Sequence, residues 1–243
     1  MRILITNDDG IQADGIRILY NELCKQHDCI VIAPNGNRSA CSHSLSIQCD
    51  LYYENADMGY AISGTPADCV KLGVLHLLDK TPDLVISGIN NGPNLGSDIA
   101  YSGTVSAALE ASYLGVRGIA VSLSKHNADI AYYKQAAEFV ANNLQKLVDL
   151  PITSATVLNI NYPVRAPFIG YKFTKSGINL YNDTFVSGET DGGVRLKGVA
   201  VEHDRNDGDC DVELIKKGYA TITPLKLDLN DYDCLNILKK FNL

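Results

Sequence analysis

The sequence predicts an α/β protein with a mainly parallel, three-layered sheet, followed after residue 165 by an irregular, β-rich extension. Three observations predict it. The chain opens on the aliphatic run Ile3-Leu4-Ile5, which stops at the turn formers Asn7-Asp8-Asp9-Gly10; such runs belong to strands covered on both faces. Strand-like runs then alternate with helical periodicity, as right-handed crossovers between parallel strands require. Three of the strand-like runs also lead into small, polar loops, and ligands of open α/β sheets bind beyond the carboxyl ends of the strands.

Taken in order, Ile16, Leu19, Tyr20 and Leu23 fall at helical spacing and mark an amphipathic helix ending near Gln26. Cys29 to Ala33 is a second strand, broken by Pro34-Asn35-Gly36-Asn37 and followed by the polar loop Arg38 to Ser44. Weaker alternation through Leu45, Ile47 and Leu51 predicts extra strands or a hairpin between residues 45 and 63. Thr65-Pro66-Ala67-Asp68 starts a helix: Thr65 suits the N-cap, Pro66 the first helical position and Asp68 the first turn. Its apolar positions predict that it runs through Leu72, Leu75 and Leu78.

Leu84 to Ser87 is the next strand, leading into the Gly- and Asn-rich loop Gly88 to Gly96. Ser102-Gly103-Thr104 then opens a helix that carries Val105, Ala108, Leu109 and Ser112 and is closed by Gly115. Gly118 to Leu123 reads as a strand, Ile130 to Val148 as a long helix and Thr156 to Ile160 as one more strand. In the extension, Gly177, Gly188, Gly192 and Gly193 punctuate short strand-like pieces. Tyr219 to Pro224 then predicts a strand, and Tyr232 to Phe241 a terminal helix that docks on the core or on a partner subunit. The expected division is a catalytic core, 1–165, and an extension, 166–243.

A formal charge of −7 over 243 residues, with no lysine- or arginine-rich stretch, argues against a nucleic acid polymer as partner. A small phosphate ester remains compatible, because one metal ion or helix N-terminus can outweigh global charge locally. Seven cysteines without CxxC spacing suit a reducing compartment. There is no signal-peptide pattern and no apolar run of transmembrane length. The expectation is a cytoplasmic protein with no membrane association.

Asp8, Asp9, Ser39 and Asn90 offer only oxygen ligands, each from a loop after a predicted strand, and hard oxygens select magnesium, manganese or calcium. For Asp8 and Asp9 the alternative is an Asx turn capping the next helix. Ser102, Gly103 and Thr104 supply free backbone N–H groups, a favourable dipole and two hydroxyls, which together make an anion cradle. Ser102 or Thr104 as a plain N-cap, Asn90 and Asn94 as turn residues and Ser39 as a surface polar group are the competing readings. A metal beside an anion cradle points to phosphoryl transfer to water. The histidines are scattered, and Arg38 reads as a solvated or structural residue.

Asn7-Asp8-Asp9-Gly10, Asn37-Arg38-Ser39, Ser63 to Val70, Ser87 to Asn90 with Asn94-Leu95-Gly96, and Tyr101 to Ala108 occur in that order and closely resemble the SurE family of stationary-phase survival nucleotidases. The resemblance implies a metal-dependent phosphatase of nucleoside 5′- and often 3′-monophosphates, sometimes active on short-chain polyphosphate. It further implies a Rossmann-like core whose C-terminal extension exchanges between subunits of a homodimer or homotetramer. Carried over motif by motif, it assigns Asp8, Asp9, Ser39 and Asn90 to one divalent ion, Mg2+ or Mn2+. Asn94, Ser102, Gly103 and Thr104 would then meet the phosphate, with Asp8 or Asp9 orienting or deprotonating the attacking water. Two departures, Asp14 in place of the common proline and Asn35-Gly36 in place of Asp-Arg, fall near the site but on no assigned ligand.

Two other readings compete. An aspartyl-nucleophile phosphatase needs two aspartates spaced by one residue, whereas Asp8 and Asp9 are adjacent. A non-catalytic nucleotide sensor lacks support from the first strand, which is followed by no GxGxxG.

Overall fold

Alternation along the first strand sets the layers. In the computed structural model, which describes residues 1–188, 190 and 192–241, Ile3 and Ile5 of β1 (Arg2–Thr6) point into one apolar core and Leu4 into another. The first core is filled by Ile16, Leu19 and Leu23 of α1 (Asp14–Leu23) and by Ala136, Ala137, Val140 and Leu144 of α4 (Ile130–Val148). The second is filled by Cys69 and Val70 of α2 (Pro66–Leu72) and Ala107 and Ala111 of α3 (Gly103–Tyr113). One sheet between two helical layers follows from that alternation.

The parallel strands are β1, β2 (Asp28–Pro34), β4 (Gly59–Ile62), β5 (Leu84–Asn90), β6 (Arg117–Leu123) and β7 (Val157–Tyr162). β3 (Tyr53–Ala56) runs antiparallel to β4 and so forms the hairpin expected between residues 45 and 63. On the other side, β11 (Ala220–Leu225) pairs antiparallel with β7, and β8 (Tyr171–Phe173) lies parallel to β11 at the edge. The nine-stranded order is β3-β4-β2-β1-β5-β6-β7-β11-β8. Residues from beyond position 165 thus complete the same sheet.

β9 (Tyr181–Ser187) and β10 (Val194–Ala200) form a separate antiparallel hairpin, exposed along its length. In α5 (Asp211–Lys216), Val212 and Ile215 pack with Leu95 and Cys210, so part of the extension braces the loop after β5. The terminal helix α6 (Tyr232–Leu238) buries no residue, so it does not dock on the core of its own chain.

The helix predicted through Leu78 keeps that length but changes type along the way. The α-helix ends at Leu72 and continues as a π turn, Gly73–Leu77, with Leu75 exposed to solvent. At Gly73 the backbone packs closely on the sheet, where a Cβ would lie 2.7 Å from Leu4 Cδ1 and 2.8 Å from Ile32 Cδ1. The wider turn rotates Leu75 away from the core.

Candidate active site at the carboxyl ends of the strands

Asn7 settles the first turn. Its Nδ2 donates to the Gly10 carbonyl at 2.9 Å, and its Oδ1 accepts from the Gly10 N–H at 3.2 Å. With Asn7 closing the Asx turn, Asp8 and Asp9 are left for other partners. Asp8 is 3 % exposed and its Oδ1 accepts from the Thr104 hydroxyl at 2.6 Å. Asp9 Oδ2 accepts from the Asn91 N–H at 3.0 Å.

Both acids sit above the ordinary carboxylate range. Burial pushes Asp8 up to about 6, against the Thr104 hydroxyl that holds it down and with the charge of Asp9 adding to the rise. Burial also raises Asp9, opposed by the Asn91 N–H and by His126. Two desolvated neighbouring acids are an arrangement that the charge of a bound cation offsets.

The loop after β2 is stitched beside them. The Arg38 N–H donates to the Asp8 carbonyl at 2.7 Å, while its guanidinium donates to the carbonyls of Ser63 at 3.0 Å and Gly64 at 3.3 Å. Arg38 is thus structural, as the sequence suggests. Ser39 follows at the rim, exposed, with Asn37 Oδ1 accepting its N–H at 2.8 Å. Further along, the Ser42 N–H donates to the Tyr101 carbonyl, the Thr65 hydroxyl to the Ser44 carbonyl, and the Ser46 hydroxyl to Asp68 Oδ2. His43 Nε2 lies 2.8 Å from Glu110 Oε2, and Lys71 Nζ lies 2.6 Å from Glu110 Oε1. The buried Glu110 therefore joins this loop to α2 and α3.

A shift in register between β5 and β6 after Ser87 carries Asn90 to the same rim, where its Nδ2 donates to the Gly92 carbonyl at 3.0 Å. Asn94 is buried, its N–H donating to Asn161 Oδ1 at 2.9 Å and its Nδ2 to Ser122 Oγ at 2.8 Å. Ser102 caps α3: its Oγ accepts from the Val105 N–H at 3.0 Å. The Gly103 N–H has no acceptor among the described residues. Gly103 itself must lack a side chain, since a Cβ would stand 2.9 Å from Asp8 Cβ and 2.8 Å from Cys41 Sγ.

Asp8, Asp9, Ser39, Asn90, Asn94 and Ser102 line one open cleft of about 1020 Å³. Gly103 and Thr104 lie behind Ser102, where Thr104 commits its hydroxyl to Asp8. The donor set fits a hard divalent ion. Asp9 Oδ1, Asn90 Oδ1 and Ser39 Oγ take part in no hydrogen bond among the described residues, and every available donor is oxygen. No group of three or more His, Cys, Asp or Glu side chains among the described residues could hold a metal, so an ion in this cleft would need amide and hydroxyl oxygens beside the two aspartates.

Sequence reasoning missed several of the cleft's neighbours. Asn159 and Asn161 on β7 hold the Asn94 carbonyl at 2.8 and 3.0 Å, and two asparagines at period two in an otherwise apolar strand were a readable signal. His126 reaches the cleft because Gly92, at φ +136°, leaves room for its ring; Nδ1 lies 2.6 Å from the Asn91 carbonyl. Asp211, fully buried, accepts from the Gly96 N–H at 3.0 Å and the Gly177 N–H at 2.7 Å, and burial raises its pKa against these backbone bonds. Asp98, Asn179 and Tyr181 complete another part of the lining. No local pattern announced these residues of the extension.

Acidic oxygens and a helix N-terminus meet beyond the carboxyl ends of a parallel sheet, the place where α/β proteins of this class bind their ligands and where a helix N-terminus favours an anion. The chain belongs to the SurE family, whose model, "Survival protein SurE", matches residues 3–183. The 5′-nucleotidase SurE of Alkaliphilus metalliredigens is 40 % identical over 255 residues, covering 100 % of this chain and 99 % of the relative. The 5′/3′-nucleotidase SurE of Proteus mirabilis is 39 % identical over 251 residues, covering 98 % and 95 %. The crystal structure of the SurE protein from Aquifex aeolicus superposes with a TM-score of 0.85 at 35 % identity, covering 99 % of each chain.

Proposed function

We propose that this protein hydrolyses nucleoside 5′-monophosphates to nucleoside and phosphate, using one divalent ion, Mg2+ or Mn2+, at Asp8, Asp9, Ser39 and Asn90. The 3′-monophosphates and short-chain polyphosphate are further substrates to test. The observation that carries the reading is the Thr104 to Asp8 hydrogen bond, which brings the acid pair and the start of α3 to one point. The names of the relatives support the substrate class.

When bound, the ion would supply positive charge to a phosphate oxygen and lower the pKa of a coordinated water. The chain's own groups do the rest. The Gly103 N–H and the Ser102 hydroxyl donate to phosphate oxygens at the positive end of α3. Thr104 offers the anion its backbone, because its hydroxyl serves Asp8. Asn94 contributes the amide hydrogen not used by Ser122. Asp9, held through one oxygen by Asn91, orients the attacking water with the other.

The same reading covers assembly and place. Phe185, Val194 and Leu196 of the hairpin and Ile237 and Leu238 of α6 are exposed apolar side chains. They support the hairpin and α6, within residues 166–243, as the oligomerisation arm of a homodimer or homotetramer. No helix among the described residues is long and apolar enough to cross a membrane. The seven cysteines are unpaired, which supports a cytoplasmic site of action.

The test is phosphate released from a panel of 5′- and 3′-nucleoside monophosphates and a short polyphosphate, with Mg2+ or Mn2+, after EDTA, and after metal is restored. Release that vanishes and returns supports the reading. Tight nucleotide binding without release under any metal overturns it in favour of a sensor.

A further inference from the structure

The cleft is far larger than a phosphate group needs, and part of its wall is contributed by the root of the arm. Asp98 stands in that wall, in the 3-10 turn Gly96–Tyr101 that leads to Ser102. Its Oδ2 is fully engaged, accepting from Asn179 Nδ2 at 2.9 Å and from the Tyr181 hydroxyl. Asn179 is itself fixed, its N–H donating to Ser97 Oγ at 3.0 Å and its Nδ2 also to the Leu95 carbonyl at 2.9 Å. Asp98 Oδ1 meets no donor among the described residues. The result is a carboxylate locked in place with one acceptor left over, beside a cleft wide enough for a nucleoside.

The rest of the wall narrows what that acceptor takes. The cleft lining includes Asp8, Asp9, Asp98 and Asp183 but no lysine or arginine. A neutral hydroxyl would find in Asp98 an acceptor of fixed geometry that calls for no counter-ion.

We propose that Asp98 Oδ1 accepts a hydrogen bond from a ribose hydroxyl of the bound nucleotide, making Asp98 a specificity-determining residue that separates ribonucleotides from 2′-deoxyribonucleotides. This rests on the proposed nucleotidase reading and deepens it. Asp98 is half-buried, and a nucleoside seated in the cleft would cover its free oxygen; an analogue lacking the hydroxyl then leaves that oxygen unpaired beneath the ligand, which is how a site that hydrogen-bonds a substrate hydroxyl rejects the analogue without it.

The experiment compares kcat/KM for a ribonucleoside 5′-monophosphate, its 2′-deoxy analogue and p-nitrophenyl phosphate in the wild type, Asp98→Asn and Tyr181→Phe, and measures binding of the two nucleotides by calorimetry. The expected wild type prefers the ribonucleotide by about tenfold or more. In Asp98→Asn the single carbonyl oxygen stays with the Asn179 and Tyr181 donors, a neutral NH2 replaces the free carboxylate oxygen, and the ratio falls toward one, mainly through KM, with a smaller loss on the sugar-free ester. Tyr181→Phe keeps the ratio, since Asn179 still holds Oδ2.

Absence of a ribose preference in the wild type overturns the assignment. So does an equal loss on all three substrates in Asp98→Asn, or a collapse of the ratio in Tyr181→Phe, either of which marks Asp98 as an anchor of the arm only. If the wild type hydrolyses nothing, the nucleotidase reading fails, and the two calorimetric affinities still decide for or against Asp98.

Discussion

The Thr104 hydroxyl donates to Asp8 Oδ1 at 2.6 Å between two buried side chains that lie 96 positions apart. Replacing Thr104 by valine keeps the shape and removes the donor. We expect phosphate release to fall by about tenfold to a hundredfold, as for a lost hydrogen bond to a charged group, while Thr104→Ser retains most activity. Equal activity in the two variants would show that the contact does not serve the reaction.

Gly103 touches the other side of Asp8. Gly103→Ala inserts a methyl 2.9 Å from Asp8 Cβ and 2.8 Å from Cys41 Sγ, so carboxylate and loop must both move. Displacement of this order in a catalytic constellation costs about a hundredfold in rate. Adding Cys41→Ala relieves only the sulfur contact, and the double variant is expected to recover a minor part of the turnover. Full recovery would place the constraint on the loop instead of on Asp8.

Glu110 gives the pH-dependent prediction. Although burial works against it, His43 and Lys71 hold its carboxyl below the ordinary range. A depressed acid contributes stability above its unfolded value and loses it as pH falls through the folded one. Glu110→Gln should therefore cost about 1–3 kcal/mol near neutrality, or about 2–4 °C in Tm per kcal/mol, and the gap to wild type should close in acid. Scanning calorimetry across pH reads it directly; a gap that widens in acid refutes the assignment.

Gly92 combines a positive φ with a ring packed against its Cα. In Gly92→Ala the new Cβ would fall 2.1 Å from His126 Cε1. We expect a loss of stability of about 1–3 kcal/mol from the backbone alone, with a further part from the collision. Adding His126→Ala should restore the second part and not the first, as thermal denaturation of the wild type and the two variants would show.

The core was legible because each element was locally consistent. The capping box of Thr65 and Asp68, the apolar β1 and the Ser102 cap are all present. That Asp8 and Asp9 face a cleft at the end of a strand was readable from two neighbouring acids after an aliphatic run. What escaped was non-local: the π turn that leaves Leu75 exposed has no signature in the apolar pattern, and the hydroxyl of Thr104 is claimed by a partner far away in sequence. Asp211 and Asp98 escaped because their partners lie 34 and 115 positions from the first and about 80 from the second. Pattern reading sees periods of two and 3.6, and such contacts have none.

The separation of Asp8 from Thr104 also bears on how the protein is made. Parallel strands pair only after long crossovers close, so contacts of this range form slowly compared with helices or hairpins. Asp8, Ser39, Asn90 and Ser102 hang on the carboxyl ends of different segments, and no contiguous fragment before α3 contains them all. In refolding, secondary structure should therefore return well before hydrolysis does. The same sequence distance means that a nascent chain acquires the acid pair early and the anion cradle only after about a hundred residues have emerged. Catalytic competence is thus a late reporter of native topology, and recovery of turnover dates the docking of α3 onto a sheet already in register.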